Sequence, residues 1–193
     1  MKDIKQKIRK VLFLYKEIDK KVDMFTRKSK LKCLSGCGKC CESPNVEATV
    51  LEMIPLALDL WEKDQAEEWW EKTKKIDGKG PCVFCRPDPL IPGKGRCGVY
   101  PFRPMLCRFY AFSARKEKDN RLSLYGCPLI RDAQPEEFKN AQKGINAGMK
   151  VPCMSDYTIQ VSAMDPQLGK EQLPINKAAQ LAIEKVGMWR KYA

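Results

Sequence analysis

The sequence contains no histidine. Catalytic zinc sites usually have imidazole ligands and facial-triad iron sites need two histidines, so both kinds of site are disfavoured. Nucleophile pairs that depend on histidine, such as Ser–His–Asp and Cys–His, are excluded within this chain. The metal sites that this absence leaves open are all-thiolate sites, either structural zinc or an iron–sulfur cluster.

The chain also lacks a long apolar run, and we expect no secretory signal peptide at its start. No stretch approaches the ~18 apolar residues that suggest a membrane span. The apolar part of the N-terminal segment covers only residues 11–15, charged residues follow at once, and no small-residue cleavage site appears. We therefore expect a cytoplasmic protein with no membrane association. In a reducing cytoplasm, ten cysteines are better explained by metal than by disulfides.

Internal repeats and low-complexity tracts are absent too, and 193 residues suit a single domain. The formal charge of +12 favours acidic partners. The basic residues are spread through the sequence and form no stripe with interleaved aromatics, so a solvated surface is favoured over a nucleic-acid groove.

Cysteine is what the chain has in abundance. Four of the ten cysteines fall within residues 33–41, in the run CLSGCGKCC, where two glycines allow the backbone to turn. The other six are Cys82, Cys85, Cys97, Cys107, Cys127 and Cys153. A single CxxC pair would be a weak signal, whereas this cluster followed by spaced cysteines predicts a metal-binding protein.

Most of the remaining chain is predicted to be helical. Over residues 2–27, apolar residues recur at alternating spacings of four and three, which is typical of a helix of three heptads. A coiled-coil dimer through this helix is one interpretation, and packing on its own domain is the favoured one. Further helices are predicted at 46–60 with a kink or break at Pro55, at 64–75 with Asp64 as N-cap, at 135–147, at 155–163, and from about 174 onward.

The middle of the chain carries different signals. Residues 81–112 are rich in proline and glycine and predict irregular structure, with a turn around residues 92–95. Segments 109–114 and 121–125 predict a hairpin that turns at residues 118–120. The predicted fold is mainly α with a small β-hairpin, a single domain around an irregular cysteine-rich metal centre. Its parts are an N-terminal amphipathic helix (1–30), a metal-binding core (33–128) and a C-terminal helical region (129–193).

With PCVF at 81–84 and CGVYPFRPMLCRF at 97–109, the cysteine run resembles the zinc- or iron-chelating CxxCxxCC family, also called the YkgJ-type cysteine-cluster family. The resemblance covers roughly residues 33–128. It implies metal binding by eight cysteines: Cys33, Cys37, Cys40, Cys41, Cys82, Cys97, Cys107 and Cys127. The sequence departs from the family pattern by having three residues between its first two cysteines where the family name implies two, and by having Cys85 where many relatives carry an apolar residue.

Adjacent cysteines cannot easily point at one small ion, so Cys40 and Cys41 are expected to serve different ions or different corners of a cluster. Two arrangements stay open: two four-cysteine sites that share this pair, or one four-iron cluster with a second site or free thiols. We favour an iron–sulfur cluster, of the [4Fe–4S] type, over zinc, with Arg103 and Arg108 offsetting the thiolate charge. Cys153 is expected to be a buried, inert thiol.

The favoured function is a redox, sensor or carrier module that holds such a cluster. A zinc-binding structural or interaction protein is the first alternative. A cluster-dependent enzyme is the second, because the spacing from Cys33 to Cys40 matches the radical SAM motif and larger proteins with a similar module have been described as flagellin lysine methylases. Against it, Lys39 stands where that motif usually has an aromatic, and no βα repeat is long enough for a barrel. Both an enzyme and a non-enzymatic module stay open.

Overall fold

Helices dominate residues 2–76, 79–91 and 94–192, the parts of the chain that the computed structural model describes. The helices are α1 (Lys2–Ser29), α2 (Lys39–Glu42), α3 (Val50–Glu62), α4 (Ala66–Lys74), α5 (Met105–Phe109), α6 (Pro128–Ala133), α7 (Pro135–Asn146), α8 (Met154–Met164), α9 (Pro166–Gly169) and α10 (Ile175–Lys191), with a 3₁₀ turn at Tyr100–Phe102. The strands are β1 (Glu47–Ala48), β2 (Cys85–Pro87), β3 (Gly95–Cys97), β4 (Ser113–Lys116), β5 (Leu122–Tyr125) and β6 (Leu173–Pro174). With 59% helix and 10% strand, the predicted fold class is confirmed.

The N-terminal helix is confirmed and packs within the chain. Val11, Ile18 and Phe25, which lie on its apolar face, are completely buried. The helix contacts α3, α5, α7 and α8. Its heptad face is therefore covered by the protein's own helices, as the favoured interpretation expected, and is not open to a second copy.

Helices α3, α4 and α10 pack together on one side of the molecule. The predicted helix at 46–60 begins only at Val50, because Glu47 and Ala48 pair as β1 with Pro174 and Leu173 of β6. Thr49 then caps α3. The helix continues through Pro55 to Glu62, so the predicted break at Pro55 is wrong.

The prediction that Asp64 caps the next helix is also wrong. Helix α4 begins at Ala66 with Gln65 as its N-cap. Asp64 has a φ of +55°, and its N–H lies 3.4 Å from the carbonyl of Trp61 at the end of α3. Asp64 therefore closes the preceding helix, because aspartate tolerates the left-handed conformation of such turns.

The segment that the composition predicts to be irregular contains short regular elements. β2 and β3 form an antiparallel ribbon in which Cys85 is opposite Cys97 and Pro87 is opposite Gly95. Strands of three residues are too short to show an alternating pattern, which is why the sequence did not reveal them. The predicted turn around residues 92–95 lies partly outside the described residues.

The remaining predicted elements are confirmed. β4 and β5 pair from Ser113 with Tyr125 to Lys116 with Leu122, although the first strand starts later than predicted because Phe109 ends α5. Helices α7, α8 and α10 start within one residue of their predicted positions. Strands of the described residues pair antiparallel, apart from an isolated parallel bridge between Ala114 and Cys153, so this part of the chain has no parallel barrel. None of the described helices is long and apolar enough to cross a membrane.

Candidate metal centre

Eight of the ten cysteines line one cavity. The cavity has a volume of about 480 Å³ and is bordered by the loop before α2, the β2–β3 ribbon and α5. The cysteines on its wall are Cys33, Cys37, Cys40, Cys41, Cys82, Cys97, Cys107 and Cys127. These are the eight positions that the family resemblance carries over. The fold thus brings them to one place although they are spread over residues 33–127.

The other two cysteines do not line this cavity. Cys85 lies in β2, opposite Cys97 across the ribbon, and is half-buried. Cys153 is 9% exposed, and its Sγ lies 3.3 Å from the Oγ of Ser155 at the start of α8. The burial of Cys153 matches the prediction for this thiol. Cys85 does not line the cavity, but its thiol forms a hydrogen bond with the thiol of Cys41. Burial raises the pKa of Cys85, and this hydrogen bond acts in the opposite direction with a smaller effect.

Two glycines attach the first cysteine loop to the ribbon. The carbonyl of Gly36, at a φ of +66°, accepts a 2.9 Å hydrogen bond from the N–H of Gly95. At Gly38 a Cβ would lie 3.0 Å from two backbone atoms of Gly95, so the two chains approach too closely for a side chain. The carbonyl of Cys41 accepts a 2.8 Å hydrogen bond from the N–H of Cys82. The glycines of the run therefore allow direct backbone contact that places Cys37 to Cys41 beside Cys82 and Cys97.

Gly38→Ala is expected to lower metal content and stability together. The added methyl group meets backbone, which cannot rotate away, so the loop has to move from β3 at a cost of roughly 1–3 kcal/mol. Ser35→Ala, at an exposed position of the same loop, is the control and should change neither quantity. Metal analysis and urea unfolding of both variants test this. A Gly38→Ala protein with full metal content would show that the close contact does not position the thiols.

A buried carboxylate positions α5, the helix that carries Cys107. One carboxylate oxygen of Glu52 accepts a 2.8 Å hydrogen bond from the N–H of Met105 at the start of α5. Its other oxygen accepts hydrogen bonds of 2.9 Å from both the N–H and the hydroxyl of Thr49. Glu52 is only 2% exposed, and burial raises the pKa of its carboxyl group. Glu52 therefore joins the start of α3 to the start of α5.

Because burial raises the pKa of Glu52, we expect the free energy of unfolding to depend on pH. The folded-state pKa of Glu52 is raised, so its favourable contribution is complete below the unfolded value of about 4.3 and is lost as the pH rises through the folded value. Glutamine does not titrate. The difference in unfolding free energy, wild type minus Glu52→Gln, should therefore be largest at acidic pH and decrease as the pH rises. Urea unfolding across this pH range measures it, and a difference that grows with pH would contradict the assignment.

The thiols surround the cavity without closing on a single point. Among the described residues, no three cysteine, aspartate or glutamate side chains are close enough together to hold a metal ion as they stand. The type of donor nevertheless fits one class of ligand, because thiolates are soft and the chain has no imidazole to offer. Eight thiols around an open cavity suit a zinc or iron centre with sulfur ligands.

Residues 32–128 match the model of the family "CxxCxxCC: Putative zinc- or iron-chelating domain". The chain belongs to the CxxCxxCC family. No curated protein and no solved structure matches it. The matched segment begins just before Cys33 and ends just after Cys127, so it contains every cysteine that lines the cavity. A zinc- or iron-chelating function therefore belongs to this segment of the fold.

The thiols of the CxxCxxCC domain differ in how readily they ionise. The Cys41 thiol donates a hydrogen bond that lowers the pKa of Cys40 to about 6, against the opposing effect of burial. A hydrogen bond from the same donor lowers the pKa of Cys97 to about 7. Because Cys41 has one proton to donate, it stabilises one of these thiolates at a time. Burial raises the pKa of Cys82 to about 12 and also raises that of Cys107.

The two predicted arginines play different parts at the cavity. The guanidinium of Arg103 lies 3.5 Å above the ring of Tyr100 at the cavity wall, and its charge contributes to the lowered pKa of Cys40 and of Cys97. Arg108 also lines the cavity, but its side chain is only 3% exposed. The nitrogens of Arg108 donate to Asp19 at 2.5 Å, to the carbonyl of Arg103 at 2.7 Å and to the carbonyl of Pro101. Arg103 is therefore the arginine that faces the thiolates, and Arg108 holds the wall in place.

Electrostatic contacts divide the thiols of the domain into two groups. Cys33 interacts with Cys37, Cys40 and Cys127. Cys82 and Cys107 interact with each other, with Cys97 and with Cys40, and Cys41 interacts with Cys82 and Cys97. Cys85, which does not line the cavity, also interacts with Cys40, Cys41 and Cys97. We call Cys33, Cys37 and Cys127 the outer group, and Cys41, Cys82, Cys97 and Cys107 the inner group. Cys40 interacts with members of both.

Several residues that shape the site were not predicted from the sequence. Glu52 and Thr49 carry a capping-box signature, with a glutamate three residues after a threonine, which could have identified them as a helix start. Gly95, Asp19 and Tyr100 carry no local signal, because each acts through a contact with a residue far away in the sequence or through stacking.

Proposed function

We propose that the cavity of the CxxCxxCC domain holds an iron–sulfur cluster on cysteine thiolates, and that the protein acts as a redox, sensor or carrier module. The observation that carries this proposal is the convergence of eight thiols on one cavity, with Cys85 and Cys153 outside it. Buried inert thiols would have no reason to converge in this way from five separate stretches of chain.

The open arrangement of the thiols supports a cluster over a single ion. Zinc in a structural site takes four ligands at about 2.3 Å from one centre, so its thiolates have to converge tightly. An iron–sulfur cluster is a larger body whose ligands lie at separate corners. The cavity has a volume of about 480 Å³, and in the described part of the chain no three donors are close enough together to hold one ion, which matches the second geometry better.

The residues proposed to hold the cluster are drawn from the eight cavity cysteines, with Arg103 facing them. A bound cluster supplies one-electron transfer, and its potential depends on nearby charge and solvent exposure. Arg103 offsets the negative charge of the thiolates at the cavity wall. The Cys41 thiol favours the thiolate forms of Cys40 and Cys97, which are the forms that bind metal.

Anaerobic purification followed by iron, zinc and sulfide analysis tests the proposal. Protein that holds a cluster should be brown, absorb at about 400 nm and contain acid-labile sulfide. Colourless protein with stoichiometric zinc and no sulfide would contradict the proposed cluster. It would support the alternative, a zinc-binding structural or interaction protein. The eight cavity cysteines are enough for two zinc sites of four thiolates each, which is why zinc is the alternative.

Metal removal is expected to expose the segment from Lys79 to Arg108 to protease. In its described residues, 79–91 and 94–108, this segment has two three-residue strands and short turns of helix, so bound metal would supply much of its folding free energy. Trypsin added after chelation should therefore cut first within this segment, while α1 and α10 persist. Mass spectrometry of the early fragments measures it, with untreated protein as control. Cleavage spread evenly along the chain would show that metal does not order the segment.

A further inference from the structure

Cys85 and Cys97 lie opposite each other on the β2–β3 ribbon. They are partners in its antiparallel register, although Cys97 lines the cavity and Cys85 does not. Directly opposed side chains of an antiparallel pair lie on the same face of the ribbon, so the two thiols are neighbours. Both are free thiols that are only partly buried. A small oxidant can therefore reach a pair of adjacent thiols at the edge of the cavity.

The hydrogen bonds of the ribbon place the two backbones at the closer of two possible spacings. The N–H of Gly98 donates to the carbonyl of Phe84 at 2.8 Å, whereas the N–H of Cys85 donates to the carbonyl of Cys82 at 3.0 Å. Hydrogen-bonded and non-hydrogen-bonded pairs alternate along an antiparallel ladder, so Cys85 and Cys97 form a non-hydrogen-bonded pair. Cα atoms in such a pair lie about 4.5 Å apart, within the range of about 4.4–6.8 Å that disulfide bonds span.

Close packing on both sides of Cys97 holds this register. A Cβ at Gly95 would lie 2.9 Å from the carbonyl oxygen of Arg86, and a Cβ at Gly98 would lie 3.0 Å from that of Phe84. The strands approach each other too closely at these glycines for a side chain to fit. The register that pairs the cysteines is therefore fixed by the backbone, and a disulfide bond can form without a shift of either strand.

We propose that Cys85 and Cys97 form a reversible disulfide bond across the ribbon, and that this bond withdraws Cys97 from the metal ligands of the cavity. The effect on metal rests on the proposed function, since it requires Cys97 to bind metal. Cys85 lies beside the cavity but outside its wall, so its thiol is available for oxidation while the cavity thiols hold metal. The pair makes metal retention sensitive to oxidants.

With hydrogen peroxide as the oxidant, the two thiols supply two electrons, which reduce the peroxide to water. The Cys85 thiolate attacks one peroxide oxygen, the O–O bond breaks, and the sulfur becomes a sulfenic acid as hydroxide leaves. The Cys97 thiolate then attacks the sulfur of Cys85 and displaces a second hydroxide, which forms the S–S bond. Each hydroxide takes up a proton to become water. Any bond between Cys97 and a metal ion breaks in the second step, and a thiol reductant reverses the disulfide.

Zinc is the probe for the test because Zn²⁺ has no redox chemistry, so electrons come only from thiols. The full-length chain is reduced, loaded with Zn²⁺, separated from free metal and treated with equimolar hydrogen peroxide. Unreacted thiols are then alkylated with iodoacetamide, and linked peptides are located by mass spectrometry. Digestion combines trypsin with chymotrypsin, whose cuts after Phe84 and Phe102 separate the two cysteines from the others in their tryptic peptides.

The link between Cys85 and Cys97 is expected as the main product. About one zinc ion should be released per linked chain, because a zinc ion held by four thiolates loses one of them. Dithiothreitol should break the link and restore zinc binding.

Two serine variants connect the loss of zinc to this pair. Cys85→Ser should bind zinc as the wild type does, since Cys85 does not line the cavity and serine keeps a hydroxyl for the hydrogen bond with Cys41. After peroxide it should contain no link across the ribbon and should keep its zinc. Cys153→Ser removes the other cysteine outside the cavity and is the matched control, which should form the link and release zinc as the wild type does.

Three results would overturn the inference. Cys41 contacts the thiols of both Cys85 and Cys97, so a main product that joins Cys41 to either one would show that the ribbon does not select the pair. Oxidation to sulfinic acids without a link would also overturn it, as would equal loss of zinc from the wild type and Cys85→Ser. A chain that takes up no zinc would contradict the proposed metal binding, whereas the peptide map would still decide whether the link forms.

Discussion

Cys40→Ser protein is expected to lose most of its bound metal. Cys40 interacts with members of both thiol groups, and the hydrogen bond from Cys41 lowers its pKa to about 6. Serine keeps nearly the same volume but replaces a soft thiolate by a hydroxyl that binds zinc and iron poorly. The loss should therefore come from the missing ligand and not from disturbed packing. Metal per chain, measured after anaerobic purification, is the readout.

The neighbouring variant gives the comparison. Cys41→Ser should lose less metal than Cys40→Ser. Cys41 interacts with the inner thiols, so metal held by the outer thiols keeps all of its ligands in this variant. Cys153→Ser, at a buried position outside the cavity, should keep full metal content and lose at most ~1–3 kcal/mol of stability from a poorly satisfied hydroxyl. A Cys40→Ser protein that retains all of its metal would remove Cys40 from the ligand set.

The long helices could be predicted from the sequence because their signals are local. The alternating spacing of apolar residues gave α1 almost to its last residue, and Pro135 marked the start of α7. Periodicity of this kind depends only on residues within a few turns of one another. The same limitation explains the two errors around α3. The start of that helix depends on the pairing of Ala48 with Leu173, far along the chain, and Asp64 serves the helix before it instead of the one after it.

The cavity could not be predicted from local sequence patterns, because it is formed by contacts between residues that are far apart in the sequence. The family resemblance identified eight cysteines, but spacing alone could not show that Cys33 and Cys127 would interact. That proximity follows from a pair of hydrogen bonds between the backbone of Lys32 and the side chain of Gln134, at 3.0 and 2.7 Å, which join the residue before Cys33 to the end of the helix that Cys127 caps. Arg108 was predicted near the bound group because of its charge. Its main partners, Asp19 and two carbonyls, became evident only from the fold.

Arg108 joins the wall of the cavity to the N-terminal helix. Its side chain lies 4.1 Å from the ring of Tyr15 in α1, and the hydroxyl of Tyr15 donates to the carbonyl of Glu52 at 2.7 Å. The guanidinium therefore connects α1 with the segment between Cys97 and Cys107, and the Tyr15 ring beneath it connects in turn to the backbone of Glu52. Each of its nitrogens serves a different acceptor, which is possible because the guanidinium is planar and presents its donors in a fixed fork.

Arg108→Lys is accordingly expected to destabilise the protein by about 2–4 kcal/mol, although the charge is kept. A lysine ammonium is a single point that cannot reach Asp19 and both carbonyls at once, so buried acceptors lose their partners. Arg115→Lys is the matched control. Its ion pair with Glu117 is exposed, and exposed pairs contribute only about 0–1 kcal/mol. Urea unfolding at fixed metal loading measures both variants. Equal losses in the two would show that Arg108 acts only as a surface charge, whereas a large loss confined to Arg108→Lys, accompanied by faster release of metal, would show that this arginine holds the cavity wall against α1.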